Sequence, residues 1–127
     1  MKITLKNLAK ATAQQVFEQV AKHLLKQGVK SEKNIDGEPY CSYRAIKKGE
    51  TLKCAAGCLI AKGEYNPDWE DTVWSALANN GRVPQQHSIL IQALQTIHDN
   101  VEPKNWLFRL KDLAQNESFD YAFLEAV

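Results

Sequence analysis

The stretch T-A-Q-Q at residues 12 to 15 opens the most constraining pattern in the chain. A threonine followed three residues later by glutamine can satisfy two free helix amides reciprocally, so a helix is expected to start at Thr12. Ala13, Val16, Phe17, Val20 and Leu24 then fall on one apolar stripe, while Gln15, Glu18, Gln19, Lys22 and Lys26 face away. Gly28 follows, where a left-handed stop is easiest for glycine. A helix apolar on one side must bury that side, and later stretches offer partners. Trp74 and Leu77 precede N-N-G at 79–81, with Asp68 or Asp71 placed to cap their helix. Leu90, Ile91, Leu94, Ile97 and Val101 form a longer stripe. Trp106, Leu110 and Leu113 follow Pro103, which suits a helix's first turn, and Ser118 could cap a last short helix bearing Phe119 and Phe123.

Between the first and second helical regions the chemistry changes. YCSYRAI, residues 40 to 46, has the β-branched and aromatic content of a strand; KKGE reads as a turn and TLK as the returning strand. GVKSEKNIDGEP, just before, reads as a polar loop. CAAGCLIA, from Cys54, is poor in β-branched residues and reads as one or two buried helical turns, with Gly57 letting another helix approach closely. No repeat, low-complexity tract or linker divides residues 1–127. The expected fold is a single domain, mainly α with some β, of four to five helices and one short β-hairpin near residues 40–53.

At 127 residues, with 44% hydrophobic and 24% charged, the chain can build a core without staples. No apolar run approaches the roughly 20 residues that span a bilayer, and the N-terminal stretch lacks the apolar core of a signal peptide. An odd count of three cysteines fits reduced thiols, so the expected compartment is the cytoplasm. The net charge of +1 hides an asymmetry: residues 1–53 carry eleven Lys and Arg against five Asp and Glu, and the remainder five against ten. That balance falls short of a nucleic-acid domain, and no aromatic platform accompanies it, so the expected partner is an acidic protein.

Cys41, Cys54 and Cys58 are spaced C-x12-C-x3-C, and His98 or His87 could complete four metal ligands. The spacing is not a zinc knuckle, and small apolar neighbours favour simple packing of the thiols. Cys54, where the expected strand gives way to a helix, could alternatively be a nucleophile with His98 as base. Asp99, about 100° further round the helix, is not expected to orient His98. No catalytic residue, metal site or cofactor is therefore assigned. The binding candidates are Arg44, Lys47 and Lys48 on the hairpin and Trp69 in the turn after Tyr65, with pairing of Arg44 to Glu64, Glu70 or Asp71 the competing reading.

The string C-S-Y-R, then K-C-A-A-G-C-L-I with Tyr65 beyond it, resembles a group of small uncharacterised proteins from bacteria and their phages. The likeness extends to A-T-A-Q-Q-V-F at 11–17, L-Q-T-I-H-D at 94–99 and P-K-N-W at 103–106. A glycine-bearing turn commonly follows Y-R directly in that group, whereas A-I-K-K-G-E-T intervenes here. The resemblance brings no activity, cofactor or catalytic residue. Small size, the absence of catalytic motifs and the uneven charge instead set the expected role: a small cytoplasmic interaction or modulator protein, phage-encoded or bacterial, acting on a host protein. The alternative is a metal-binding or cysteine-dependent enzyme centred on Cys41, Cys54, Cys58 and His98.

Overall fold

The computed structural model describes residues 2–126. Helix α1 spans Ala13–Gln27 with both halves of the expected capping box. The Gln15 amide donates to Thr12 Oγ1 at 3.1 Å, and the Thr12 amide donates to Gln15 Oε1 at 2.8 Å. Gly28 ends the helix at φ 69°, its N–H bonded to the Leu24 carbonyl. Val16, Phe17, Val20, Ala21 and Leu24 are buried along the expected stripe. Phe17 packs its ring 5.2 Å from Phe119 and 5.9 Å from Phe123, tying the chain's last turn to its first helix.

The other helices are α2, Trp74–Asn79; α3, Ser88–Asn100; and α4, Trp106–Glu117. α1 packs on both α3 and α4, and α2 packs on α3. Trp74 and Trp106 are fully buried, as large apolar rings at stripe positions should be. The caps differ from expectation in two places. Asn66 accepts from the Asp68 amide over a 3-10 turn at Pro67–Trp69, while α2 has no side-chain cap. Ser118 is the left-handed C-cap of α4 and does not open the final turn, Ala122–Ala126. No described helix is long and apolar enough to cross a membrane.

The strand content corrects the expected fold. Two hairpins are present: β1, Glu32–Ile35, pairs with β2, Glu38–Cys41, and β3, Arg44–Lys47, pairs with β4, Glu50–Lys53. Half the chain is helical and 13% is strand, so the class is α+β and not mainly α. The first hairpin lies where a polar loop was expected. Its turn is Asp36-Gly37, at φ 54° and 84°, and D-G is the dipeptide that tolerates left-handed backbone at both central positions of a tight hairpin. The second turns at Lys48-Gly49 with φ 52° and 80°. YCSYRAI is therefore not one strand. Ser42 and Tyr43 break it, with the Ser42 amide donating to the Ser31 carbonyl at 2.9 Å and its hydroxyl to the Arg44 carbonyl at 2.6 Å.

CAAGCLIA is also tighter than a helix, forming a turn and a short 3-10 segment at Gly57–Leu59. Gly57 is indeed a close-approach residue, but its neighbour is not a helix. A β-carbon there would sit 2.0 Å from the Tyr43 carbonyl oxygen, inside any tolerable contact. The turn after β4 thus lies directly on the joint between the two hairpins.

Candidate functional site

The C-terminal turn of α3 carries His98, fully buried, and Asp99, half-buried. The Ser31 amide donates to His98 Nε2 at 2.9 Å. That nitrogen must therefore offer a lone pair, which places the ring proton on Nδ1. Nδ1 in turn donates to Asp99 Oδ1 at 2.7 Å. Asp99 does orient His98, against the expectation from helix geometry: Nδ1 lies close to its own backbone, and a short neighbouring carboxylate bends across the angle. Gln95 donates to the same Oδ1 at 2.7 Å and accepts the Ala56 amide at 2.9 Å. The imidazole stacks on Trp106, centroids 5.6 Å apart. One helical turn therefore holds the strand leading into β1 and the turn that follows β4.

Cys41, at the end of β2, completes the cluster. One ligand atom from each of Cys41, His98 and Asp99 lies within 4.8 Å of the others. Burial pushes the Cys41 thiol up to about 12, and its hydrogen bond to Asp99 and that residue's charge push the same way. Burial pushes Asp99 up as well, but hydrogen bonds from His98, Cys41 and Gln95 outweigh it and hold the carboxyl below its ordinary range. The carboxylate is thus the acceptor for an imidazole N–H, an amide and a thiol. A metal taking Nδ1 of His98 would have to displace a proton from a ring whose other nitrogen already accepts the buried Ser31 amide. The trio is built as a hydrogen-bonded joint.

The remaining cysteines stand apart from it as ligands. Cys54 Sγ accepts the Gly57 amide at 3.3 Å, and Cys58 Sγ donates to the Ala55 carbonyl at 3.2 Å. All three thiols are free. Burial raises Cys54 well above the ordinary thiol value and Cys58 to about 12. The structure therefore brings Cys41 and His98 together, adds Asp99, and leaves Cys54 and Cys58 packed as small apolar groups. His87 bonds the Ala11 carbonyl through Nε2 at 2.7 Å, well away from them in role. A cavity of about 170 Å³ beside the joint is lined by Cys41, Asp99, Gln92 and Trp74, among others. Trp74 is buried there with no partner for its indole N–H among the described residues.

The surface candidates separate as well. Glu70 accepts the backbone amides of Tyr43 at 3.0 Å and Arg44 at 3.3 Å and the Tyr65 hydroxyl at 2.6 Å. It fixes the hairpin joint through Arg44's backbone rather than its guanidinium, which instead sits 5.7 Å over the Tyr65 ring. Glu64 is likewise engaged by backbone amides, those of Leu5, Lys6 and Ala61. Arg44 makes no ion pair among the described residues. Lys47 and Lys48 are exposed at the tip of β3–β4, whereas Trp69 is half-buried and packs against the core. Sequence reasoning missed Ser31 and Gln95, which fasten loops from a distance, named Glu70 only as an ion-pair partner of Arg44 where it binds backbone amides instead, and took Lys22 and Lys26 as simply solvated. Their spacing on the polar face of α1 was the available signal. No family model, curated protein or solved structure matches this chain.

Proposed function

We propose that this protein is a binding module whose paired hairpins dock an acidic segment of a protein partner. The observation that carries the reading is the bare β1–β2 arm. Residues 33–40 are all exposed, although Ile35 and Tyr40 remain 44% and 47% accessible on it. Beside it, β3–β4 buries Ala45 and Leu52 inward and turns Ile46 outward at 68% accessible. A two-stranded hairpin is marginal by itself, so an arm that buries little in its own chain suits a surface completed by a partner.

A groove of about 430 Å³ lies where the segment entering β1 meets the β3–β4 hairpin, with Lys30, Lys47 and Lys48 along it and Glu32 and Glu50 interspersed. The surplus of lysine favours an acidic occupant, and Val29, 50% accessible in the groove, supplies apolar contact. The likeness of C-S-Y-R and K-C-A-A-G-C-L-I to bacterial and phage proteins makes a bacterial protein the partner to seek. The high thiol values of Cys41, Cys54 and Cys58 support this reading over a cysteine nucleophile.

The test begins with a partner captured from bacterial lysate and then purified. Its affinity is measured for the native protein, for Val29→Ser, and for Lys47→Glu combined with Lys48→Glu. Tenfold or greater weakening is expected in each variant, with a shallower salt dependence only in the charge-reversed one. Equal affinity and equal salt dependence in both variants would sink the proposal.

A further inference from the structure

A second cavity, of about 280 Å³, opens where the N-terminal segment, held to α1 by Ile3 and Gln19, passes beside the end of β4. Lys2, Lys22, His23, Lys26 and Lys53 line it together with Gln19 and Cys58, and no carboxylate does. The neutral polar groups nearby are already occupied in holding the walls together. Gln19 donates to the Ile3 carbonyl at 2.8 Å and accepts the Ile3 amide at 2.7 Å. Gln27 clasps Lys53 by both its amide and its carbonyl, at 3.0 and 2.9 Å. His23 Nε2 donates to that same carbonyl at 2.8 Å. What remains facing the cavity is cationic.

Lysines lining it also sit in two like-charge arrangements. Lys22 and Lys26 stand one helical turn apart, the spacing at which equal charges repel on a helix. Lys53 is the direct cross-strand partner of Arg44, where equal charges weaken a hairpin. Lys22 has a long contact with Glu18 at 3.8 Å, but Lys2, Lys26 and Lys53 make no ion pair among the described residues. Burial lowers Lys53 from its ordinary value, and Lys2 and Arg44 lower it further. His23 is lowered too, first by burial, with the charges of Lys53 and Lys2 adding to it against its bond to the Lys53 carbonyl. Lys2, Lys26 and Lys53 thus stand around one concavity with no internal counterion among the described residues, while Lys22 is shared with Glu18 and the Phe123 ring.

We propose that this cavity, framed by Lys2, Lys22, His23, Lys26 and Lys53, binds a phosphate-type anion, either inorganic phosphate or the head of a small phosphomonoester. A dianion answers several ammonium groups at once, which a single chloride cannot. The volume lies near the lower end of ligand pockets, roughly 300 Å³, and so suits a phosphate head with a small organic remainder. The site uses none of the hairpin-tip lysines and does not depend on the docking reading.

The test is an NMR titration of the full chain with sodium phosphate against sodium chloride at equal ionic strength. Saturating shifts are expected at the amides around His23, Lys53 and Cys58 with phosphate only. Lys2→Gln combined with Lys53→Gln should weaken binding at least tenfold, and the exposed Lys26→Gln severalfold, each with a dispersed native spectrum. Phosphoserine as a second probe separates the two sources: tighter binding than phosphate assigns a phosphomonoester, and equal binding assigns the free ion. Lys47→Glu with Lys48→Glu should leave phosphate affinity unchanged, so that this site and the docking face fail or stand separately. Shifts that match those of chloride, or saturable binding untouched in the Lys2/Lys53 variant, would overturn the proposal.

Discussion

At the last turn of α3, His98, Asp99, Gln95 and Cys41 are matched donor to acceptor, and their bonds fasten Ser31 and Ala56. On the outer face of α1 and β4, Lys2, Lys26 and Lys53 face one cavity without an ion-pair partner among the described residues. The first region contains the residue types of an active site, yet its hydrogen bonds consume their chemistry. The second contains ordinary surface residues, yet its charge is uncompensated. Residue type alone is thus a poor guide to which region acts; the balance of donors, acceptors and charges is a better one.

Substitutions should separate the two regions by both size and sign. The largest effect is expected at Gly57→Ala, in the turn that Gln95 holds. Its new β-carbon would meet the Tyr43 carbonyl 2.0 Å away, and backbone cannot yield as a flexible side chain would. A loss of about 3–5 kcal/mol in urea unfolding is expected; a loss below about 1 kcal/mol would mean that the hairpin joint is slack. His98→Phe comes next, since it keeps a ring against Trp106 but removes both hydrogen bonds. Stranding the Ser31 amide and depriving Asp99 of a donor should cost about 2–4 kcal/mol, measured in the same way.

A third measurement follows the thiols. Folding raises Cys41 and Cys58 from 9.0 to about 12, so the native state keeps protons that the unfolded chain loses between those values. Stability should therefore fall as pH rises from about 9 toward 12, and Cys41→Ser should flatten part of that decline. At neutral pH, native Cys41 should react with a thiol reagent at least tenfold more slowly than the denatured chain, because less thiolate is present. Fast native labelling would release Cys41 from the joint. The smallest effect carries the opposite sign. Lys53→Gln removes one of two like charges facing each other across β3–β4, and should raise stability by about 0.2–1 kcal/mol in phosphate-free buffer. A loss there would place Lys53 among the structural residues.

What the sequence made legible is what local physics decides. Thr12, Gln15, the Val16-to-Leu24 stripe and Gly28 specify α1 from start to stop within one short stretch. The first hairpin had a local signal in Asp36-Gly37, but strands as polar as E-K-N-I and E-P-Y-C lack the apolar alternation that marks a half-buried strand. Cys41, Ser31 and His98 meet only through tertiary packing, and no spacing rule links them. Asp99 was set aside by an argument about Cβ directions that ignores the position of Nδ1 along the imidazole. The lysine cavity was hidden for a related reason: Lys2 and Lys53 reach Lys22 only once the chain has folded back over α1.

The register of the first hairpin has a consequence for how copies of the chain meet at high concentration. In a two-residue hairpin the pair flanking the turn, Ile35 and Glu38, exchanges both ladder bonds, so the next pair, Asn34 and Pro39, turns its backbone outward. The missing N–H of Pro39 is therefore missing from the free margin of β2, where a foreign strand would otherwise seek a donor. That margin is poorly suited to zippering, which leaves β1, with Asn34 facing out between Lys33 and Ile35, as the side on which chain-to-chain strand growth would begin.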